Sequence, residues 1–270
     1  MLGSSSDPFI KALKSFGYLT VRLPKADIAP LQILSKNGKN LERLGPVVKL
    51  LTPGDNIGAP TISLGALAAN INGQRTGEMK IGLGLSLLGS IIGAMSGSTM
   101  GVDVEYKQAK SAVFEFTDVT EDKIDIIDLD QYLGDADINP ASVFVSKLLE
   151  ADELYITTAV IKSAKFIFDA KQSGGVGVKV NVPVIQGAVG GNVTVGASGA
   201  ADSKVTYEGK IPLVFGFQAV RLFFDGGKFT SLVPAEGVAL KGLGNIESSL
   251  SEEKKVEQLM VDDCFVRLRD

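Results

Sequence analysis

The stretch Val176-Gly177-Val178-Lys179-Val180-Asn181-Val182-Pro183-Val184 puts valine at every second position, with glycine, lysine, asparagine and proline between. Period-two alternation is the signature of a strand with one apolar and one polar face. A second arm follows with the same period. Val193, Val195 and Ala197 lead through a Gly/Ala/Ser break to Val205, Tyr207, Ile211, Leu213, Phe215 and Phe217, opposite Lys204, Thr206, Glu208, Lys210 and Gln218. This register persists for about twenty-five residues, where an ordinary strand runs to roughly five or six. Between the arms, Gly187-Ala188-Val189-Gly190-Gly191-Asn192 is glycine-rich and conformationally permissive. The spacing predicts a long hairpin whose middle can rearrange.

Upstream, a similar pattern occurs in Val102, Val104, Tyr106, Ala112, Phe114 and Phe116, which share the even register while Asp103, Glu105, Lys107, Glu115 and Thr117 share the odd one. Before it, Met79 to Met100 carries no charge after Lys80 and reads Ile81, Leu83, Leu85, Leu87, Leu88, Ile91, Ile92, Met95, with Gly and Ser in nearly every other place. About fifteen apolar-rich residues fall short of the roughly twenty that a membrane helix needs. A buried helix is expected here at rest. Gly82, Gly84, Gly89 and Gly93 weaken it by up to ~1 kcal/mol each, which suits a segment that changes conformation.

The remaining elements are ordinary. Asp7-Pro8 starts a helix with Phe9, Leu13 and Phe16 on one face, Gly17 ends it, and Tyr18–Leu23 is a strand closed by Pro24. Leu31–Ser35 and Thr61–Asn70 are strand candidates, and Leu41–Leu51 is a short helix or an extended segment. Glu121–Leu133 and Asn139–Glu150 read as surface helices, and Leu154–Phe168 as a strand. Phe217–Thr230 is a buried strand reversing at Asp225-Gly226-Gly227.

Composition excludes several functions. The chain has 270 residues, 45% hydrophobic, with net charge -4, so it can bury a large core and presents no basic footprint for nucleic acid. With no histidine and the single Cys264, histidine triads, Cys-His pairs, histidine metal sites and internal disulfides are excluded. The run Gly82–Gly89 has leucine at 87 where a dinucleotide loop needs glycine, and no Walker Gly-Lys-Ser/Thr occurs. The carboxylates Asp125, Asp128, Asp130, Asp135 and Asp137 do not follow calcium-loop spacing and are expected on a solvated helix face. No metal, cofactor or catalytic residue is expected. The start, Met1–Asp7, has no signal-peptide pattern, which makes the cytoplasm the expected location at rest.

Two alternating segments, each interrupted by a weak helix or loop, together with the amphipathic start Asp7–Leu13, the element Val220–Phe224 and a short apolar tail, resemble the bacterial gasdermins. That resemblance implies a pore-forming effector of antiphage cell death, held inactive by a short C-terminal peptide and released by a companion protease. Family members often carry an acylated cysteine near the start. Here Gly3 stands in that neighbourhood with no cysteine, and Leu2 fails the myristoylation pattern.

The expected fold is α+β, a twisted antiparallel sheet with surrounding helices at rest and long membrane hairpins after activation. Only a closed barrel satisfies the backbone of membrane strands, and four arms per subunit require many copies. The pore-forming domain is expected over residues 1–236, a cleavable linker over 237–251, and an inhibitory peptide over 252–270. The membrane-inserting candidates are Val102, Val104, Tyr106, Phe114, Phe116, Val176, Val178, Val180, Val182, Val205, Tyr207, Leu213 and Phe215. Lys11, Lys14 and Arg22 are candidates for lipid headgroups. Cleavage is expected near Leu240, Lys241, Leu243, Gly244, Asn245 and Leu250, and inhibitory contacts from Val256, Leu259, Met260, Phe265 and Leu268. The expected partners are membrane lipid, an activating protease and further copies of the chain in the active state, with a monomer at rest and the cell inner membrane as destination. The alternative is a soluble binding protein for an apolar ligand, and a distant third is an enzyme binding metal at Asp118–Asp137.

Overall fold

The computed structural model describes residues 8–37, 40–52, 54, 56–96, 106, 108–139, 147–149, 151–173, 176–178, 182, 193–197, 203–235, 265–266 and 268–269. The chain begins with α1 (Pro8–Ser15), β1 (Leu19–Lys25), β2 (Gln32–Asn37) and β3 (Asn40–Pro46), followed by α2 (Val47–Leu50), β4 (Leu51–Thr52) and β5 (Ser63–Leu67). Next come β6 (Met79–Lys80), α3 (Ile81–Ser96), β7 (Ser111–Thr117), β8 (Thr120–Lys123), α4 (Ile126–Asp135) and β9 (Asp137–Ile138). The long strands β10 (Leu154–Lys171) and β12 (Lys204–Asp225) flank β11 (Val193–Ala197), and β13 (Lys228–Pro234), β14 (Phe265–Val266) and β15 (Leu268–Arg269) complete the order.

β10 and β12 form the spine. They pair antiparallel from Tyr155↔Arg221 to Asp169↔Lys204, with shifts at Thr157/Ala159, Ile161/Lys162 and Ser163/Lys165. At the last shift the Ser163 hydroxyl accepts from the Lys165 N–H at 2.8 Å, which satisfies a donor that the bulge would otherwise strand. β12 turns into β13 through Gly226 and Gly227, with φ of +56° and +80°, the conformation that a tight Gly-Gly hairpin requires.

The main sheet runs β14-β1-β12-β10-β2-β3-β15, with β11 and β13 also on β12, and with β7 and β8 on β10. Three apolar clusters divide it. One lies under α3, against the lower halves of β10 and β12 and against β7 and β11. A second joins α2 and α4 to the upper halves through Leu50, Leu129, Tyr132, Leu154 and Leu222. A third fills the space among β1, β2, β10 and β12 with Leu19, Val21, Leu34, Tyr155 and Phe217.

Several expected elements are corrected. α1 buries Ile10 and Leu13, while Phe16 is 39% exposed; both helical stripes were available, and the one that reaches the core prevails. Its following turn is tied to the sheet by Tyr18, whose phenol donates to Glu121 and is pushed up by burial and by that carboxylate. β1 runs through Pro24 to Lys25. Leu41–Leu51 is both strand and helix. Within Glu121–Leu133 the start is strand β8, and α4 begins only at Ile126, where Asp125 accepts from the Ile127 N–H at 2.7 Å as its cap. Of Asn139–Glu150, residues 147–149 are helical and 140–146 lie outside the description.

Candidate membrane-inserting sheet

The site is built from the lead-in to α3. Residues 73–81 run antiparallel along β7 with little apolar content of their own: the Gly73 N–H donates to the Phe116 carbonyl at 2.9 Å and Thr76 N–H to Phe114 at 2.9 Å. Met79 pairs with Ala112 and Lys80 with Ser111, and the Ile81 N–H reaches the Lys110 carbonyl at 3.0 Å. Arg75 fixes this lead-in. Its guanidinium sits 2.8 Å from the buried Asp169 carboxylate of β10 and 3.3 Å from Glu115 of β7. Asp169 also accepts from the Ser203 hydroxyl at 3.4 Å, just before β12, and Lys171 meets Glu78 at 3.4 Å. One cation thus ties the lead-in to two strands, and its carboxylate partner bonds the residue preceding a third.

α3 then lies over the apolar face of the same strands. Leu88, Ile91, Ile92 and Met95 are buried beneath it. The helix seats closely because two glycines allow it: a Cβ on Gly84 would stand 2.6 Å from the Ala112 methyl, and one on Gly209 of β12 would stand 2.9 Å from the Met95 sulfur. Below, aromatic rings fill the core. Phe116 stacks on Phe215 at 4.3 Å and Phe166 on Tyr207 at 5.2 Å, while Tyr106 and Phe114 meet Phe168 edge-on at 4.9 and 5.0 Å. The buried Tyr106 and Tyr207 hydroxyls share a hydrogen bond of 3.0 Å, and burial pushes the Tyr207 phenol up.

A model of the Bacterial Gasdermin Family matches residues 21–231. A gasdermin from a Desulfuromonadales bacterium is 51% identical over 264 residues, covering 97% of each chain. One from Lysobacter enzymogenes is 39% identical over 246 residues, covering 90% and 91%. The chain belongs to the bacterial gasdermin family. Members of this family are pore-forming effectors of cell death, not known as enzymes. The fold agrees with the solved structure of a bacterial gasdermin from Bradyrhizobium tropiciagri at TM-score 0.61 and 12% identity, covering 97% of this chain and 96% of that one.

In this gasdermin the sequence-selected residues separate clearly. Tyr106, Phe114, Phe116, Val178, Val205, Tyr207, Leu213 and Phe215 converge in the cluster under α3, with Val182 packed at its margin. Val176 is 63% exposed. Val102, Val104 and Val180 lie outside the described residues, as do the cleavage candidates Leu240, Lys241, Leu243, Gly244, Asn245 and Leu250 and the tail residues Val256, Leu259 and Met260. Lys11 is exposed and Lys14 half-buried, while Arg22, Phe265 and Leu268 are described by backbone alone.

At rest the second arm is not one continuous strand. β12 is held by β10 on one edge, Lys165↔Glu208 to Asp169↔Lys204, and by β11 on the other, Val193↔Gly209 to Ala197↔Val205. The second arm therefore folds back on itself between Ala197 and Ser203. In the first arm, Gly177 makes one isolated bridge with Lys171. Folding back buries Val193, Val195, Val205 and Tyr207 in the cluster beneath α3. Likewise β7 covers Ser111–Thr117 of the longer strand expected from Val102. Sequence reasoning missed Arg75, Asp169 and the lead-in, whose polar residues carry no periodic signal.

The tail returns to the sheet. β14 pairs parallel with β1, Thr20↔Phe265 and Val21↔Val266, and β15 pairs parallel with β3, Leu268↔Leu41 and Arg269↔Glu42. One position, 267, separates them. β1 and β3 are the two ends of the path β1-β12-β10-β2-β3, so β14 and β15 extend that path at its opposite ends. Among the described residues no helix is long and apolar enough to cross a membrane, which has no bearing on crossing by strands.

Proposed function

We propose that this gasdermin is the autoinhibited precursor of a membrane pore. Proteolysis in the linker, residues 237–251, removes the inhibitory peptide 252–270. The body, residues 1–236, then assembles in the inner membrane and permeabilises it, ending the life of a phage-infected cell.

One observation carries the reading: α3 is a helix with the sequence of a strand. The helix buries a stripe at Gly84, Leu88, Ile91, Ile92 and Met95, spaced by the helical period, and leaves Leu83, Leu85 and Leu87 half-buried. In an extended chain, Ile81, Leu83, Leu85, Leu87, Ile91 and Met95 fall on one face with Gly89 and Gly93, and Gly82, Gly84, Ser86, Ser90 and Ala94 on the other, where Leu88 and Ile92 are the two large apolar exceptions. The lead-in supplies the register. Continued from Met79↔Ala112 and Lys80↔Ser111, it turns at Met95–Ser96 and sets Leu85, Leu87 and Ile91 against Tyr106, Val104 and Met100, while Ile81 and Leu83 meet Lys110 and Gln108 at the sheet end of the hairpin. The β10–β12 register, continued from Asp169↔Lys204, sets Val178 against Val195 and Val180 against Val193, and turns at Gln186–Gly187. Two hairpins of membrane length, with one apolar face each, follow from pairings already present.

The tail supports the control step. The backbone pairing of four residues contributes on the order of a few kcal/mol at ~0.5–1.5 kcal/mol per hydrogen bond. That suffices while the tail is tethered and fails once it can diffuse away.

A protease site inserted within 241–250 tests this. Uncut full-length protein mixed with anionic vesicles is expected to retain the dye, and cutting is expected to release it. Leakage before cutting, or none after complete cutting, would remove the tail from control.

A further inference from the structure

Resting on that reading, we propose that β11 occupies, in the resting chain, the place of a strand from a second copy, and that the strand it excludes is the lead-in 73–80. Across the sheet the order is lead-in, β7, β10, β12, β11, each antiparallel to the next. The lead-in and β11 therefore run in the same direction. Repeating the order head to tail places the lead-in of one copy beside β12 of the next, antiparallel, which is the seat and direction that β11 has. Such a heterologous contact closes into a ring when the rotation between copies allows it.

The faces match as well. β11 directs Val193 and Val195 into the core beside Val205 and Tyr207, with Thr194 exposed. The lead-in likewise sets Met79 against that same core, with Glu78 and Lys80 exposed. Either strand can thus continue the apolar face of β12 and its polar face together. Among the named strands β6 pairs with β7 alone, so the lead-in edge of the sheet ends in a short strand while the β12 edge is covered. A strand at the end of a sheet can take a further strand from another chain. Leaving β11 in place keeps resting copies apart, and its departure frees the same residues, 193–197, to lengthen the membrane strand. Insertion and assembly become one event.

The test uses the full chain with Cys264→Ser and the inserted protease site. A cross-strand disulfide from Thr194→Cys with Glu208→Cys, a directly paired and exposed couple, locks β11 down. Oxidised and cut, this protein is expected to bind vesicles of phosphatidylglycerol and phosphatidylethanolamine yet remain single-copy and tight, with leakage restored by reductant. In a second arm, chains carrying Thr206→Cys are mixed with chains carrying Glu78→Cys or Lys80→Cys, the exposed lead-in positions on the face opposite Met79. A disulfide between copies is expected for at least one pair, after cutting on vesicles and not before. Leakage by the oxidised lock overturns the proposal. So does full leakage with no inter-copy disulfide at any pair, which leaves the pore reading standing. If the cut parent chain does not leak, both fall.

Discussion

Gly89→Lys is expected to abolish vesicle leakage by the cut chain, and Ser90→Lys to leave it intact. The two positions are neighbours in α3 and equally harmless at rest. A side chain at Gly89 meets nothing within 4 Å, and Ser90 is exposed, donating to the Ser86 carbonyl at 2.9 Å. Once the segment is extended they part. Position 89 joins Ile81, Leu83, Leu85, Leu87 and Ile91 on the lipid face, and position 90 joins Ser86 and Ala94 on the polar face. Lysine facing lipid near mid-depth costs ~2–4 kcal/mol, and each copy in the ring bears it. Replacing glycine also strengthens the resting helix by up to ~1 kcal/mol, so Gly89→Ala is the control. It shares that gain without the charge, and slower but complete dye release is expected. Equal leakage from both lysine variants would mean that this segment does not enter the bilayer as a strand.

Val266→Pro combined with Leu268→Pro is expected to release the pore without any protease. The tail is held through the ladders of β14 on β1 and β15 on β3, and proline removes the donor a ladder needs. With both strands freed, β1 and β3 are expected to lose the partners that β14 and β15 give them, as after cutting. The measurement is dye release by uncut protein, compared with the parent chain. A double-proline variant that stays tight until cut would place the inhibitory contact elsewhere in the tail.

How much of this could be read from residues alone varies by element. The β12 strand and its turn were legible, because the odd positions from Val205 to Phe217 and the pair Gly226-Gly227 state the conformation locally. The apolar faces were legible too, since Phe114, Phe116, Tyr207 and Phe215 alternate cleanly and share one core. Which strand pairs with which was not. Folding the second arm onto itself or onto Val176–Val184 preserves the same alternation, and the choice rests on how much surface α3 covers. The lead-in was invisible because Gln74, Arg75, Glu78 and Lys80 are held by backbone pairing and by ion pairs to Glu115 and Asp169, far along the chain. In the tail, the apolar content was readable but its seat was not, because a short parallel strand depends on the edges that the rest of the fold presents. Ile10 and Phe16 show the same limit on a smaller scale: one helix offers two stripes, and the neighbour decides.

The central claim is that α3 changes from helix to strand. Spin labels at Gly82 and Ser90, both exposed at rest, test it most directly in a chain with Cys264→Ser. Eight residues span ~12 Å in a helix and ~26 Å in a strand. The cut, leaking, vesicle-bound protein is expected to give the longer distance and the uncut protein the shorter. A leaking sample that keeps the short distance would contradict the account.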